Sequence, residues 1–193
     1  MRFQTILIII LVILTIGLTI GQRFGFTWAG GDGYEPHLVL GVIDSVGDVE
    51  MHQYHRGQMV STAAGERMVI ANDAISIALD ERTDVELVST KSEETELYVH
   101  RGRVMVKADT AVKVRSNFVR SEFIDGQVSF VYYDFTNTVS IIPFDTKVNY
   151  TIAEQVGSTI KPINIMELSP YIIMPFEFDP TTSSAAEFYD WAL

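Results

Sequence analysis

Two hydrophobic patterns divide the chain. Residues 3–20 read FQTILIIILVILTIGLTI, eighteen positions without a charge, in which residues 6–14 are unbroken Ile, Leu and Val. At about 1.5 Å rise per residue such a run spans about 27 Å, close to the thickness of a bilayer core. In lipid the backbone must satisfy its own hydrogen bonds, so β-branched residues there still form a helix. The run is therefore expected to be a transmembrane signal-anchor helix over residues 3–21, with Met1 and Arg2 as a cytoplasmic tip. The alternatives are a cleaved signal peptide or a buried core helix. Cleavage wants a small-x-small site, and the exit Gly17-Leu18-Thr19-Ile20-Gly21-Gln22-Arg23 fits that poorly. Arg2 and Arg23 nearly balance the positive-inside signal, and a two-residue tip is too short for a cytoplasmic domain. The bulk of the chain is expected outside the cytoplasm. Residues 22–37, with Gly30-Gly31-Asp32-Gly33 at their centre, read as a flexible tether.

Beyond the tether the period changes to two. Ile75, Ile77 and Leu79 alternate with Ser76, Ala78 and Asp80. Val104 and Val106 flank Met105, and Val112 and Val114 flank Lys113. Val128, Phe130 and Tyr132 oppose Ser129, Val131 and Tyr133, so this strand is expected to be covered on both faces. Turn signals lie between these runs at residues 80–84, Arg101-Gly102, Asp109-Thr110, Asp125-Gly126, 134–138 and 143–146. A short Gly-x-Val-x-hydrophobic pattern recurs at Gly47, Gly102 and Gly126, each glycine expected to close a tight turn before a strand. The sum is an all-β ectodomain, a twisted solenoid-like or sandwich-like fold, over residues 38–157.

Residues 158–178 are apolar but punctuated by Pro162, Pro170 and Pro175. They read as an extended strap that lays Ile160, Ile163, Ile165, Ile172, Ile173 and Phe176 on the core. A Thr or Ser N-cap at 181–184 then introduces a short C-terminal helix over residues 185–193. Phe188, Trp191 and Ala192 form its apolar face, which is expected to dock on the domain.

The order of these pieces resembles the FecR-like domain family. The stretches that carry the resemblance are residues 41–51, 74–88 (AISIALDERTDVELV), 97–114 (LYVHRGRVMVKADTAVKV) and 122–141. The resemblance implies an extracytoplasmic β-domain at the cell envelope. It does not extend to the family's cytoplasmic sigma-regulating segment, since only Met1 and Arg2 precede the hydrophobic run, nor to its later transporter-contacting module.

Charge and chemistry sharpen this picture mainly by exclusion. The net charge of −11 disfavours nucleic-acid binding. With no Cys there is neither a disulfide nor a thiol nucleophile, nor a lipoprotein anchor. His52 and His55 point to opposite faces of a strand, so no metal site is expected. The acidic clusters at Asp44/Asp48/Glu50, Asp80/Glu81/Asp84 and Glu93/Glu94/Glu96 read as solvated turns, and no nucleophile motif occurs. No catalytic, cofactor-binding or metal-ligating residue is assigned. The residues singled out for ligand or partner contact are Tyr132, Tyr133, Phe135 and Trp191. The expected role is a non-enzymatic binding, sensing or scaffolding module, with membrane lipid along 3–21 and an envelope protein or glycan as partners. The alternatives are a cell-wall glycan hydrolase using surface carboxylates and a truncated signal-relay protein.

Overall fold

The structure is a computed structural model; it describes residues 38–43, 49–91 and 94–193. The expected anchor (3–21), the tether (22–37), His37, Asp44, Asp48 and the Gly47 repeat lie outside the described residues. Among the described residues no helix is long and apolar enough to cross a membrane.

The period-two runs form one antiparallel sheet. Its strands are β1 (Leu38–Ile43), β2 (Val49–Tyr54), β3 (Gln58–Ser61), β4 (Met68–Ala71), β5 (Ile75–Leu79), β6 (Asp84–Lys91), β7 (Glu94–Arg115), β8 (Val119–Tyr133), β9 (Thr138–Pro143), β10 (Val148–Ile152), β11 (Gln155–Thr159), β12 (Ile163–Met166) and β13 (Ile172–Pro175). The chain then closes with helix α1 (Ala186–Ala192). The main path runs β13-β12-β9-β8-β7-β5-β4-β1-β2. Two branches leave it: β6 with β3 from β7, and β10 with β11 from β8.

The branches exist because β7 and β8 are long and bent. A straight strand of the 22 residues in β7 would run about 70 Å. Yet Val99 and Val114, from its two ends, line one small cavity together with Phe130 and Val139. The bends fall where turns were expected. Gly102, at φ +90°, lies inside β7, and a Cβ there would stand 2.6 Å from the Thr83 Cα. Asp125 (φ 61°) and Gly126 (φ 114°) lie inside β8. Asp109-Thr110 occupies a register shift between Ala108 and Ala111. These three sites are therefore kinks and a bulge, not strand ends. Hydrophobic alternation resumes after each, so pairing continues while the strand turns into the second layer. The result is sandwich-like: each long strand pairs with one branch at one end and with the central sheet at the other.

The main core lies between the layers, with Ile77, Leu87, Leu97, Val104, Val106, Val112, Val128 and Ile141 fully buried. A second, smaller core forms on the opposite face of the central strands, where Ala78 and Met105 meet Phe188 and Tyr189 of α1. This covers β8 on both faces, as its sequence implied: Val128 and Phe130 point one way, and buried Ser129 and Val131 the other.

The tail differs from a strap. Ile163 and Ile165 are buried, but Ile160, Ile172 and Ile173 are exposed. Residues 163–166 pair with β9, and 172–175 pair with them in turn, adding a hairpin to the sheet edge. Pro162 and Pro170 flank these four-residue strands, and Pro175 is the last residue of β13, so none interrupts the pairing. The helix also lacks its expected Thr or Ser cap. Its N-cap is Ala185, with no side-chain hydrogen bond. Upstream, Asp179 instead accepts from the Thr181 N–H and hydroxyl, forming a turn that delivers the chain to α1.

Candidate functional site

The bend in β7 and the end of β8 enclose an open groove of about 450 Å³. One wall comes from the β5–β6 turn and the β7 kink, with Asp80, Arg82, Arg101 and Arg103; the other comes from β8 and the following 3-10 turn, with Tyr132, Tyr133 and Phe135.

The arginine wall is built on a buried carboxylate. Asp80, only 8% exposed, was expected in a solvated turn; it is instead held by Arg67 Nε (3.1 Å to Oδ1) and Arg103 Nη1 (2.7 Å to Oδ2). The sequence reading failed here because both arginines are distant in the chain: Arg67 precedes β4 and Arg103 follows the β7 kink. A charge buried at the end of a strand requires such partners. Thr83, fully buried, accepts from the Arg103 N–H through its hydroxyl (3.0 Å), which fixes the kink against the β5–β6 turn. The Arg103 guanidinium also lies 5.9 Å and 5.6 Å from the ring centroids of Phe188 and Tyr189, tying the groove to α1. Its Nε is buried without a hydrogen-bond partner, and the residue lines both the groove and a second opening of about 230 Å³.

The aromatic wall divides into a fixed and a presented part. Tyr132 is nearly buried, and its hydroxyl donates to Asn137 Oδ1 at 2.9 Å. Burial holds its ionisation above the usual tyrosine range. Tyr133 is 38% exposed and Phe135 84% exposed, and their rings meet edge to face at 6.4 Å. The structure thus gathers three of the four residues singled out from sequence. Trp191 is elsewhere: it sits on α1 with its ring 6.0 Å from that of Phe188 and does not line the groove. Asp80, Arg67, Arg103 and Tyr189 were missed, because their role depends on long-range pairing. Tyr189 is buried under the sheet with its hydroxyl 3.0 Å from Ser129 Oγ, and burial raises its pKa.

Other described carboxylates of these clusters also have partners. Asp84 binds Arg101 (2.6 Å), Glu94 binds Lys113 (2.7 Å), and Glu81 accepts the Gly65 N–H (2.6 Å). These carboxylates serve as charged structural partners. His100 lies 3.2 Å from Glu86, and among the described residues no three metal-ligating side chains converge. What the groove can do chemically is bind: flat rings for apolar contact, and guanidinium N–H groups for acceptors.

No family model and no curated protein sequence matches the chain. Two solved structures share its fold. Both are crystal structures, at 2.50 Å and 1.65 Å, of a candidate anti-sigma factor from Parabacteroides distasonis ATCC 8503. Each has a TM-score of 0.55, with sequence identities of 14% and 13%. Each match covers 64% of this chain but only 61% of the other. The described domain therefore has the fold of part of that protein, a bent antiparallel β-sheet.

Proposed function

We propose that this protein is a membrane-anchored, non-enzymatic binding or sensing module whose FecR-like β-domain faces the extracytoplasmic side of the envelope and recognises an envelope protein or glycan. The reading rests above all on the groove, where an exposed Tyr133–Phe135 pair stands opposite guanidinium groups fixed by buried carboxylates. An 84%-exposed Phe at a tight turn contributes little to its own fold, and contiguous exposed aromatic surface marks interaction sites. The uncharged N-terminal run supports the anchor. The fold shared with part of a candidate anti-sigma factor supports a regulatory setting. Asp80, Asp84 and Glu94 are paired with cations, which weighs against these three as proton donors in the hydrolase alternative.

A photoreactive phenylalanine analogue at position 135 tests the reading in cells. It should form an adduct with one envelope protein or glycan, which the same analogue at the remote, exposed Ile124 does not form. Adducts restricted to cytoplasmic proteins, or identical at both positions, would overturn it.

A further inference from the structure

The sheet ends in a short edge strand whose side chains are apolar and exposed. Strand β13 hydrogen-bonds to β12 alone among the described residues. It has no Lys and no bulge, and Ile172, Ile173 and Met174 are all exposed, Ile173 by 41%. Natural edges are blunted by charge, a bulge, a covering loop, shortness or proline; β13 has the last two and none of the others within the strand.

Register identifies which backbone groups face outward. β12 lies between β9 and β13, and its residues alternate between the two neighbours. The Glu167 N–H donates to Asn137 O, so the odd-numbered residues of this segment bond toward β9. The Phe176 N–H donates to Pro162 O, so the even-numbered residues bond toward β13. Both bonds give the same phase: Ile172 and Met174 bond inward to Met166 and Asn164, while Ile173 and Pro175 turn their polar groups to the open side. The outward row is then the Ile173 N–H and C=O and the Pro175 C=O. Proline occupies the position where its missing N–H costs the ladder nothing.

We propose that β13 is a strand-addition edge that receives an extended segment of a partner protein, with alternating apolar side chains and basic flanks. The backbone row selects an extended chain, and Ile172 and Met174, which share one face of the strand, select apolar side chains on that face. Charge selects the flanks. Exposed Glu167, Glu177 and Asp179 flank the strands of this hairpin along the chain, with one exposed Lys, Lys161, just before it. The same acidity, in a chain of net charge −11, opposes pairing with a second copy. This surface is separate from the aromatic groove and does not depend on it.

The test uses the full chain in lipid nanodiscs, panned against a display library of random peptides. Enriched peptides should alternate β-branched residues with polar ones and carry Lys or Arg at their ends. Ile173→Pro removes the outward donor while sparing the β12 ladder, and it should weaken binding about tenfold or more. Glu167→Lys with Glu177→Lys should shift the enriched flanks away from basic residues. Phe135→Ala should change nothing. Amide exchange at Ile173 in the unaltered chain should slow when the best peptide binds, which keeps the test decisive if Ile173→Pro fails to fold. Three results would each overturn the proposal: no enrichment of alternating sequences, no slowing at Ile173, or a dimer of this chain that Ile173→Pro dissolves.

Discussion

Asp80 shows how one side chain organises its surroundings. It sits at the end of β5, close to water in the sequence and shielded from it in the fold, and it compensates two arginines at once. Asp80→Asn should cost about 3 kcal/mol, the scale for removing one partner of a buried ion pair, read as a lowered thermal midpoint. Asp80 was invisible as a structural residue because a carboxylate in an Asp-Glu-Arg-Thr-Asp stretch looks like a solvated turn until the chain brings Arg67 and Arg103 to it. Tyr189 belongs to the same class. Its phenol is buried and bonded to Ser129, so its folded-state pKa lies above the unfolded one. The stability it contributes is complete below the ordinary tyrosine range. It falls as the pH rises above that range, where the unfolded chain ionises first, and is gone above the raised folded pKa. Tyr189→Phe should cost about 1 kcal/mol at neutral pH and flatten the alkaline limb of a stability-against-pH curve. Tyr132 and Tyr54, also raised by burial, contribute to the residual slope.

Among the elements, the strands were legible and their ends were not. Alternation located β5, β7 and β8 because large apolar side chains fill the main-core face of each, while the face toward the second core takes smaller or mixed residues such as Ala78, Met105 and Ser129. Glycine and aspartate marked Arg101-Gly102, Asp109-Thr110 and Asp125-Gly126 correctly as places where the backbone departs from a flat strand. Sequence alone does not distinguish a departure that ends a strand from one that bends it, since both use positive φ. The neighbour decides: at Gly102 the approach of Thr83 leaves no room for a Cβ. Gly102→Ala should therefore destabilise by about 2 kcal/mol or more, through left-handed strain together with the clash, measured by urea denaturation. Helix α1 was legible in type, but its docking face only in part: Phe188 is buried and Ala192 packs beside it as expected, whereas Tyr189 is buried in place of Trp191, which is 38% exposed. Its cap was misread because Asp179 organises the turn two residues ahead. Phe188→Ala should cost about 3–5 kcal/mol and uncover the Met105 face, seen as increased binding of a hydrophobic dye.

For the whole molecule, an uncharged apolar run, proposed above as a membrane anchor, precedes a bent sheet with two unlike surfaces, an arginine–aromatic groove and an open strand edge. Sequence patterning made the sheet legible because a period-two run satisfies its backbone across neighbouring strands; the apolar run at residues 3–20 lies outside the described residues. The groove was half legible. Tyr132, Tyr133 and Phe135 are neighbours in sequence and stand out as a cluster, whereas the opposite wall is assembled by pairing across the fold. Because the chain has no Cys, a single thiol can report which side of the membrane the sheet occupies. Val156→Cys, at a highly exposed position of β11, should react fully with a membrane-impermeant maleimide in intact spheroplasts, on a chain that stays with the membrane through alkaline carbonate washing. Labelling that appears only after lysis, or a chain that washes off the membrane, would contradict the account.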